Sequence, residues 1–326
     1  MSVSPLAEVV RDRRINAILE AIRQAVANQQ PITIRPKDVD YIRRSFSKGL
    51  ELGERRLYEL ARFILDRFAP GRKVRITLII WGRCPVPGHE GVVELEADLP
   101  TEPEQLMMKS DSHLIEPHKP KCPLCGQTVP VIASFVRHTP EPDPKDVLQF
   151  LFTRIKTTSN ICYKIADLVF DIDFMFQRDK IYNEFSQMVG DVYGIKIIVA
   201  GDEHIPVMLR FIRELKGAVV VDEKDYTGAN RKKSGYEARK VVIRREHQLF
   251  EIQIQSHRMY DFEQTSRTAS HRTYKEIQMQ DRRKLGKEYV ALYQALSGLL
   301  KPPDQNFSSI EYIEIGQDSK GLDDEF

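Results

Sequence analysis

The chain has 326 residues, 41% of them apolar, with 49 Lys and Arg against 47 Asp and Glu. That much apolar material suffices for two or three domains, and the near balance of charge excludes a whole-molecule field that draws in nucleic acid, leaving only local patches. No apolar run approaches the ~18 residues of a membrane span, and the opening "MSVSPLAEVVRDRR" turns charged before the core of a signal peptide can form, so the expectation is a globular cytoplasmic protein with no membrane contact.

In chain order, Leu6, Val9, Val10, Ile18, Leu19, Ile22 and Val26 recur at roughly helical spacing and predict an amphipathic helix over 5–28. A second helix is predicted over 37–68, where Leu57, Leu60, Ala61, Ile64 and Leu65 form a stripe that "APGRK" ends. From Val74 the period changes: "VRITLIIWG" and the alternating "GVVELEADL" flank the tight loop "RCPVPGHE", which reads as a hairpin.

The stretch "CPLCG" then places Cys122 and Cys125 two residues apart with a glycine relieving the turn, the pattern of a zinc knuckle. Cys84 and His89 in the hairpin loop supply the two further ligands of a Cys3His structural zinc site, with His113 and His118 competing for the fourth place. Four protein ligands leave no open position for catalysis. The fourth cysteine, Cys162, falls in an apolar helical pattern and reads as core. Four cysteines in a chain this long are no secreted disulfide framework and point to a reducing compartment.

"RHTPEPDPKD", with three prolines in a polar run, reads as a linker and sets a domain boundary near residue 140. Beyond it, "KDVLQFLFTRIK" and "NICYKIADLVF" read as helices, "YGIKIIVAG" as a strand, "VMLRFIRELKG" as a helix, and "AVVVDEKDY", "ARKVVIRR" and "LFEIQIQS" as strands. A long closing helix and a disordered acidic end follow. The fold class is therefore α+β, a mixed sheet with flanking helices.

Three features carry chemistry. In "LFEIQIQS" the strand period puts Glu251, Gln253 and Gln255 on one face, which is expected to look into a wet site. Asp191 stands just before an apolar strand, where a carboxylate reaches the sheet edge. "KDYTGANRKKSGYEA", Lys224 to Ala238, combines closely spaced cations with tyrosines and bends at Gly228 and Gly235. Cations hold phosphates and a tyrosine stacks a base, so a nucleotide satisfies both, the alternative being a solvated basic hairpin. Two carboxylates beside such a loop suit Mg²⁺ bridging phosphates.

The blocks "RIKTTSNICYKI", "DVYGIKIIV", "KDYTGANRKKSGYEA", "FEIQIQS" and "SHRTYKE", in that order from about Thr153 to Glu276, resemble the synthetase domain of the RelA/SpoT family. The resemblance implies transfer of pyrophosphate from ATP to the 3′ hydroxyl of GDP or GTP. It casts Arg154, Lys156, Lys164 and Lys196 as ATP-binding, Asp191 and Glu251 as the catalytic, Mg²⁺-binding carboxylates, and Tyr236 as the stacker of the acceptor base. Lys224, one of Lys232 or Lys233, Ser234, Lys240, Gln253 and His271 would complete the acceptor site. Asn160, Lys196, Ser234, Lys240 and Gln255 stand where the family usually has Ser, Arg, Asn, His and Arg, so the acceptor pocket is altered. No His-Asp pair marks the family's hydrolase domain.

Two alternatives accompany this reading. One is a toxin-like enzyme that modifies the 3′ end of tRNA, for which Arg231, Lys232, Lys233, Arg239, Lys240, Arg244 and Arg245 would suit an RNA backbone. The other is a catalytically silent module sensing a nucleotide, RNA or a protein. A homo-oligomer or an antitoxin-type protein partner is compatible with the resemblance. The expected organisation is a helical region at 1–72, a zinc-ribbon-like region with linker at 73–140, a synthetase-like domain at 141–276, and a C-terminal helix with acidic tail at 277–326.

Overall fold

In the computed structural model of the chain, the stripe from Leu57 to Leu65 forms one side of helix α1, Pro36–Phe68, and Leu57, Leu60, Ala61, Ile64 and Leu65 are all buried. The structure describes residues 35–84, 86–89, 92–99, 120–129, 131–156, 191–246 and 248–266, with isolated residues 17, 18, 21, 24, 28, 161 and 162. The helix expected over 5–28, "NICYKIADLVF", the closing helix and the acidic tail lie outside these residues, apart from the isolated positions.

Among the described residues, eight strands follow α1: β1 (Val74–Arg83), β2 (Val92–Leu99), β3 (Val131–Pro140), β4 (Leu148–Ile155), β5 (Tyr193–Val199), β6 (Ala218–Asp225), β7 (Arg239–Arg245) and β8 (Gln248–Ser256). They form one sheet in the order β2-β1-β3-β4-β5-β8-β7-β6. β5 and β8 run parallel while the other neighbours are antiparallel, so the sheet is mixed, as the α+β reading expects. Helix α2, Ile205–Arg213, lies in the connection from β5 to β6, and helix α3, His257–Thr265, follows β8 directly. Among the described residues, no helix is long and apolar enough to cross a membrane.

Two expectations are corrected. "KDVLQFLFTRIK" contains strand β4 rather than a helix, because its short apolar run is held between β3 and β5 in an antiparallel register; a run that short carries no periodicity that separates the two states. The proline-rich stretch is not a linker between separate domains. β3 runs to Pro140, Glu141 N–H donates to the Lys73 carbonyl at 2.9 Å, and the Arg72 guanidinium clasps the Asp146 carboxylate. That bond holds the Asp146 carboxyl below its usual range. Strands β1–β3 therefore extend the sheet that carries β4–β8. The chain divides instead into one unit of residues 1–52, 157–189 and 280–326 and another of residues 53–156 and 190–279, and the whole sheet belongs to the second.

Strand alternation gives this sheet two unlike faces. On one, Tyr193, Ile195 and Ile197 of β5 stand in register with Phe250, Ile252 and Ile254 of β8, and Val241 and Ile243 of β7 continue the row; all are buried. Gly53 of α1 touches this face so closely that a Cβ there would sit 2.1 Å from Cζ of Tyr193, which is fully buried. Gly53→Ala is therefore expected to destabilise the protein by about 1–3 kcal/mol through overpacking, read as a lower denaturation midpoint. An unchanged midpoint would mean that α1 does not pack on Tyr193 in this way.

Candidate active site

The opposite face carries the polar residues. Arg154 of β4, Gly194 of β5 and Glu251 of β8 stand side by side in register. One step along, Lys196 of β5, Gln253 of β8, Lys240 of β7 and Lys224 of β6 form a second row across four strands. Residues separated by up to about 100 positions in the chain thus meet because the pleat sends every second side chain to the same side. The Arg154 side chain lies over Gly194, with Nε 3.8 Å from where a Cβ would stand.

A chain of polar contacts runs through these rows. Lys240 Nζ pairs with the Glu251 carboxylate, Gln253 Nε2 donates to Glu251 Oε1 at 2.7 Å, and the Tyr236 hydroxyl donates to Gln253 Oε1 at 3.0 Å. Glu251 is only 5% exposed. Burial pushes its carboxyl up, but the Lys240 ammonium, aided by Arg154 and opposed by the Asp191 charge, wins and holds it below the usual carboxylate value. The same pairing raises Lys240 against the effect of its burial. Burial, with the charges of Glu263 and Glu251, lifts the Tyr236 phenol well above its ordinary value, so it remains a donor.

The expectation that Glu251, Gln253 and Gln255 face a wet site needs correction. Gln253 is half-buried, while Glu251 and Gln255 are enclosed. Glu251 is engaged by Lys240 and Gln253, and Gln255 by α3, a helix to which no sequence expectation assigns a role. Its Glu263, itself buried, takes Lys196 Nζ on both oxygens at 2.9 Å and Gln255 Nε2 at 2.9 Å, while Gln255 Nε2 also donates to the Glu237 carbonyl at 2.7 Å. Two sequence signals point to Glu263: Ser256 is the N-cap of α3, accepting from Met259 N–H, and Met259 and Glu263 are one turn apart on the buried side.

Asp191, just before β5, is paired with Lys156, just after β4. Gly228 and Gly235 adopt the positive φ expected of bends, and Lys232 Nζ lies 4.8 Å from the Tyr226 ring centroid and 5.6 Å from that of Tyr236. Lys224 Nζ is 3.6 Å from Asp222, Lys233 is exposed, and Ser234 Oγ accepts from Tyr236 N–H at 3.4 Å. Lys164 and His271 lie outside the described residues. Of the cations considered for RNA, Arg239 is engaged by Glu223 and Asp225 and Lys240 by Glu251. Arg244 and Arg245 are adjacent on β7 and so point to opposite faces, the latter over Phe63 of α1 at 6.0 Å.

A second constellation stands at the other end of the sheet. The ligand atoms of Cys84, His89, Cys122 and Cys125 all lie within 4.8 Å of one another, while His113 and His118 fall outside the described residues.

Residues 153–279 match the family described as "Region found in RelA / SpoT proteins". No curated protein matches the chain. Similar solved structures include small alarmone synthetase 1 from Bacillus subtilis bound to its product pppGpp, 20% identical over 48% of this chain and 75% of that one, with a TM-score of 0.30. Small alarmone synthetase 2 from the same organism is 17% identical over 47% and 75%, with a TM-score of 0.29. A GTP pyrophosphokinase family protein from Streptococcus pneumoniae is 15% identical over 46% and 72%, with a TM-score of 0.25.

Proposed function

We propose, from the match of residues 153–279 to the RelA/SpoT region, that the chain is an ATP-dependent pyrophosphokinase that transfers pyrophosphate to the 3′ hydroxyl of GDP or GTP. The observation that carries this reading is the continuous contact chain Lys240–Glu251–Gln253–Tyr236, which joins an ionised carboxylate to an aromatic side chain on one sheet face. In the reaction, the acceptor's 3′ oxygen attacks the β-phosphorus of ATP, the bond from that phosphorus to the α,β-bridging oxygen breaks, and AMP leaves. The hydroxyl proton passes to Glu251, which Lys240 keeps ionised in the neutral range. Arg154 and Lys156 hold the ATP phosphates, and Tyr236 stacks the acceptor base. Most of the rate enhancement is then alignment and charge neutralisation.

The donor set also fits Mg²⁺. Asp191 and Glu251 are hard oxygen donors close enough for the Asp191 charge to act on Glu251, and Mg²⁺ takes one or two carboxylates with water and substrate phosphates completing its shell. Asp191 and Glu251 would hold it, and when bound it neutralises phosphate charge.

Transfer of label from γ-labelled ATP to GDP, GTP or deacylated tRNA tests the reading. Tyr236→Ala removes roughly 1–3 kcal/mol of stacking, so acceptor affinity is expected to fall about 10–100-fold while ATP affinity stays unchanged. Tyr236→Phe, which keeps the ring and loses only the bond to Gln253, is expected to retain most of that affinity. Label on tRNA alone would replace the acceptor, an outcome disfavoured by the engagement of Arg239 and Lys240 in internal pairs. Bound nucleotide without any transfer would mark a binding module.

A further inference from the structure

The Cys84, His89, Cys122 and Cys125 cluster has no part in that reaction, and its geometry is informative in its own right. Cys84 follows the last residue of β1, His89 sits in the loop from β1 to β2, and Cys122 and Cys125 lie in the turn that precedes β3. Two separated segments therefore bring four soft or borderline donors to one point. The Sγ atoms of Cys84 and Cys125 are 3.7 Å apart, and His89 Nδ1 is 3.7 Å from the Sγ of both Cys84 and Cys122.

Those separations are diagnostic. A disulfide needs sulfurs at about 2.05 Å, so 3.7 Å excludes one, and the cysteines are free thiols. A tetrahedral ion with bonds of about 2.3 Å to sulfur and about 2.05 Å to nitrogen puts its ligand atoms about 3.8 Å (S···S) and about 3.6 Å (S···N) apart. Three edges of the cluster match those lengths.

The local backbone forms a closed knuckle. The turn from Cys122 closes through Gly126 N–H donating to the Cys122 carbonyl at 2.8 Å, with Gly126 at φ +72°, a conformation that a side chain would strain. This turn aims the backbone N–H groups of Cys125 and Leu124 at the Cys122 sulfur. Lys121 bridges Thr128 to close the knuckle, and Cys84 and Cys122 are buried with Val129 against Val86 and Val93. Three sulfurs and one imidazole select zinc over the hard cations that suit oxygen ligands.

We propose that Cys84, His89, Cys122 and Cys125 bind one Zn²⁺ that clamps the β1–β2 hairpin to the entrance of β3. Four protein ligands leave no open position, so the ion is structural. Because β1, β2 and β3 are strands of the sheet that carries Arg154 and Glu251, the ion secures one end of that sheet rather than an appended module. Binding energy of such an ion is folding energy, since the ligand set does not exist in the unfolded chain.

The test uses the full chain, purified without chelator. Elemental analysis is expected to find about one zinc per chain. Cys122→Ser is expected to lose essentially all of it, whereas Cys162→Ser, outside the cluster, keeps it. His89→Ala weakens retention and His89→Cys, which rebuilds a four-thiolate site, restores it. Cobalt exchanged for zinc should show thiolate charge-transfer and tetrahedral ligand-field bands. If Cys122→Ser fails to fold, wild-type protein supplies the answer: chelation under reducing conditions lowers Tm, and added Zn²⁺ restores it. Protein that carries no zinc and whose Tm does not respond to Zn²⁺ would overturn the proposal, as would full zinc content in Cys122→Ser. None of these readouts depends on pyrophosphate transfer, so the proposal stands or falls apart from the reaction.

Discussion

Glu251→Gln is expected to lower pyrophosphate transfer by roughly 10²–10⁴-fold, the range for removing a positioned acid or base. Gln has the shape of Glu but neither its charge nor its capacity to take a proton. The substitution also leaves Lys240, now paired with Glu251 in an enclosed setting, without its counter-charge, and breaking such a pair destabilises. Melting and ATP binding must therefore be measured beside transfer. A folded variant that binds ATP and has lost transfer supports the assignment. Transfer within tenfold of wild type would remove Glu251 from the chemistry. Asp191→Ala is expected to behave similarly in activity while disturbing the fold less, since Asp191 is 25% exposed.

Acid should loosen the sheet through His138. This residue of β3 is 4% exposed, its Nε2 lies 3.2 Å from Thr153 Oγ1 on β4, and its ring meets that of Tyr58 edge-on with centroids 6.2 Å apart. Burial lowers its pKa from 6.5 to about 4. The unfolded chain thus binds the proton more readily than the folded one. The stability that follows is fully present above the unfolded value of 6.5 and is lost as pH falls toward the folded value of about 4. The full difference is about 3 kcal/mol, and about 1.4 kcal/mol of it is gone by about pH 5.5, where carboxylates still contribute little. Denaturant unfolding at pH 7 and 5.5 reads this change directly. His138→Gln, which cannot take up the proton, should flatten the dependence. An equally steep loss in that variant would assign the acid sensitivity to other groups.

Much of the architecture is legible in residue patterns, for identifiable reasons. The Leu57 to Leu65 stripe is long and strictly periodic, and a helix is the one regular structure that gathers it on one side. The alternation of "LFEIQIQS" and the apolar "YGIKIIV" likewise become β8 and β5. The short apolar run of β4 carries too few residues for a period, and only its register with β3 and β5 decides that it is a strand. The prolines before β4 suggest a boundary because proline breaks ladders, yet Arg72 reaches across from the end of α1 to hold Asp146 and turns the stretch into a tight connection. Such a pair, far apart in the chain, leaves no local trace.

At the candidate site, residue patterns alone reveal which chemistry is present: two carboxylates, a tyrosine and basic groups in blocks that resemble RelA/SpoT proteins, and a CPLCG knuckle with Cys84 and His89 upstream. Residue type and local spacing carry that much, because ligand chemistry and strand alternation are local properties. Which partner each group takes is settled by the packing of strands and helices. Lys240 goes to Glu251 rather than to solvent, Lys196 to Glu263, and Tyr236 to Gln253. It likewise places His89, in the hairpin loop beyond the end of β1, against Cys84 and Cys122. Those choices follow from sheet register and from α3 folding back over β8, which set distances between groups that no sequence separation specifies.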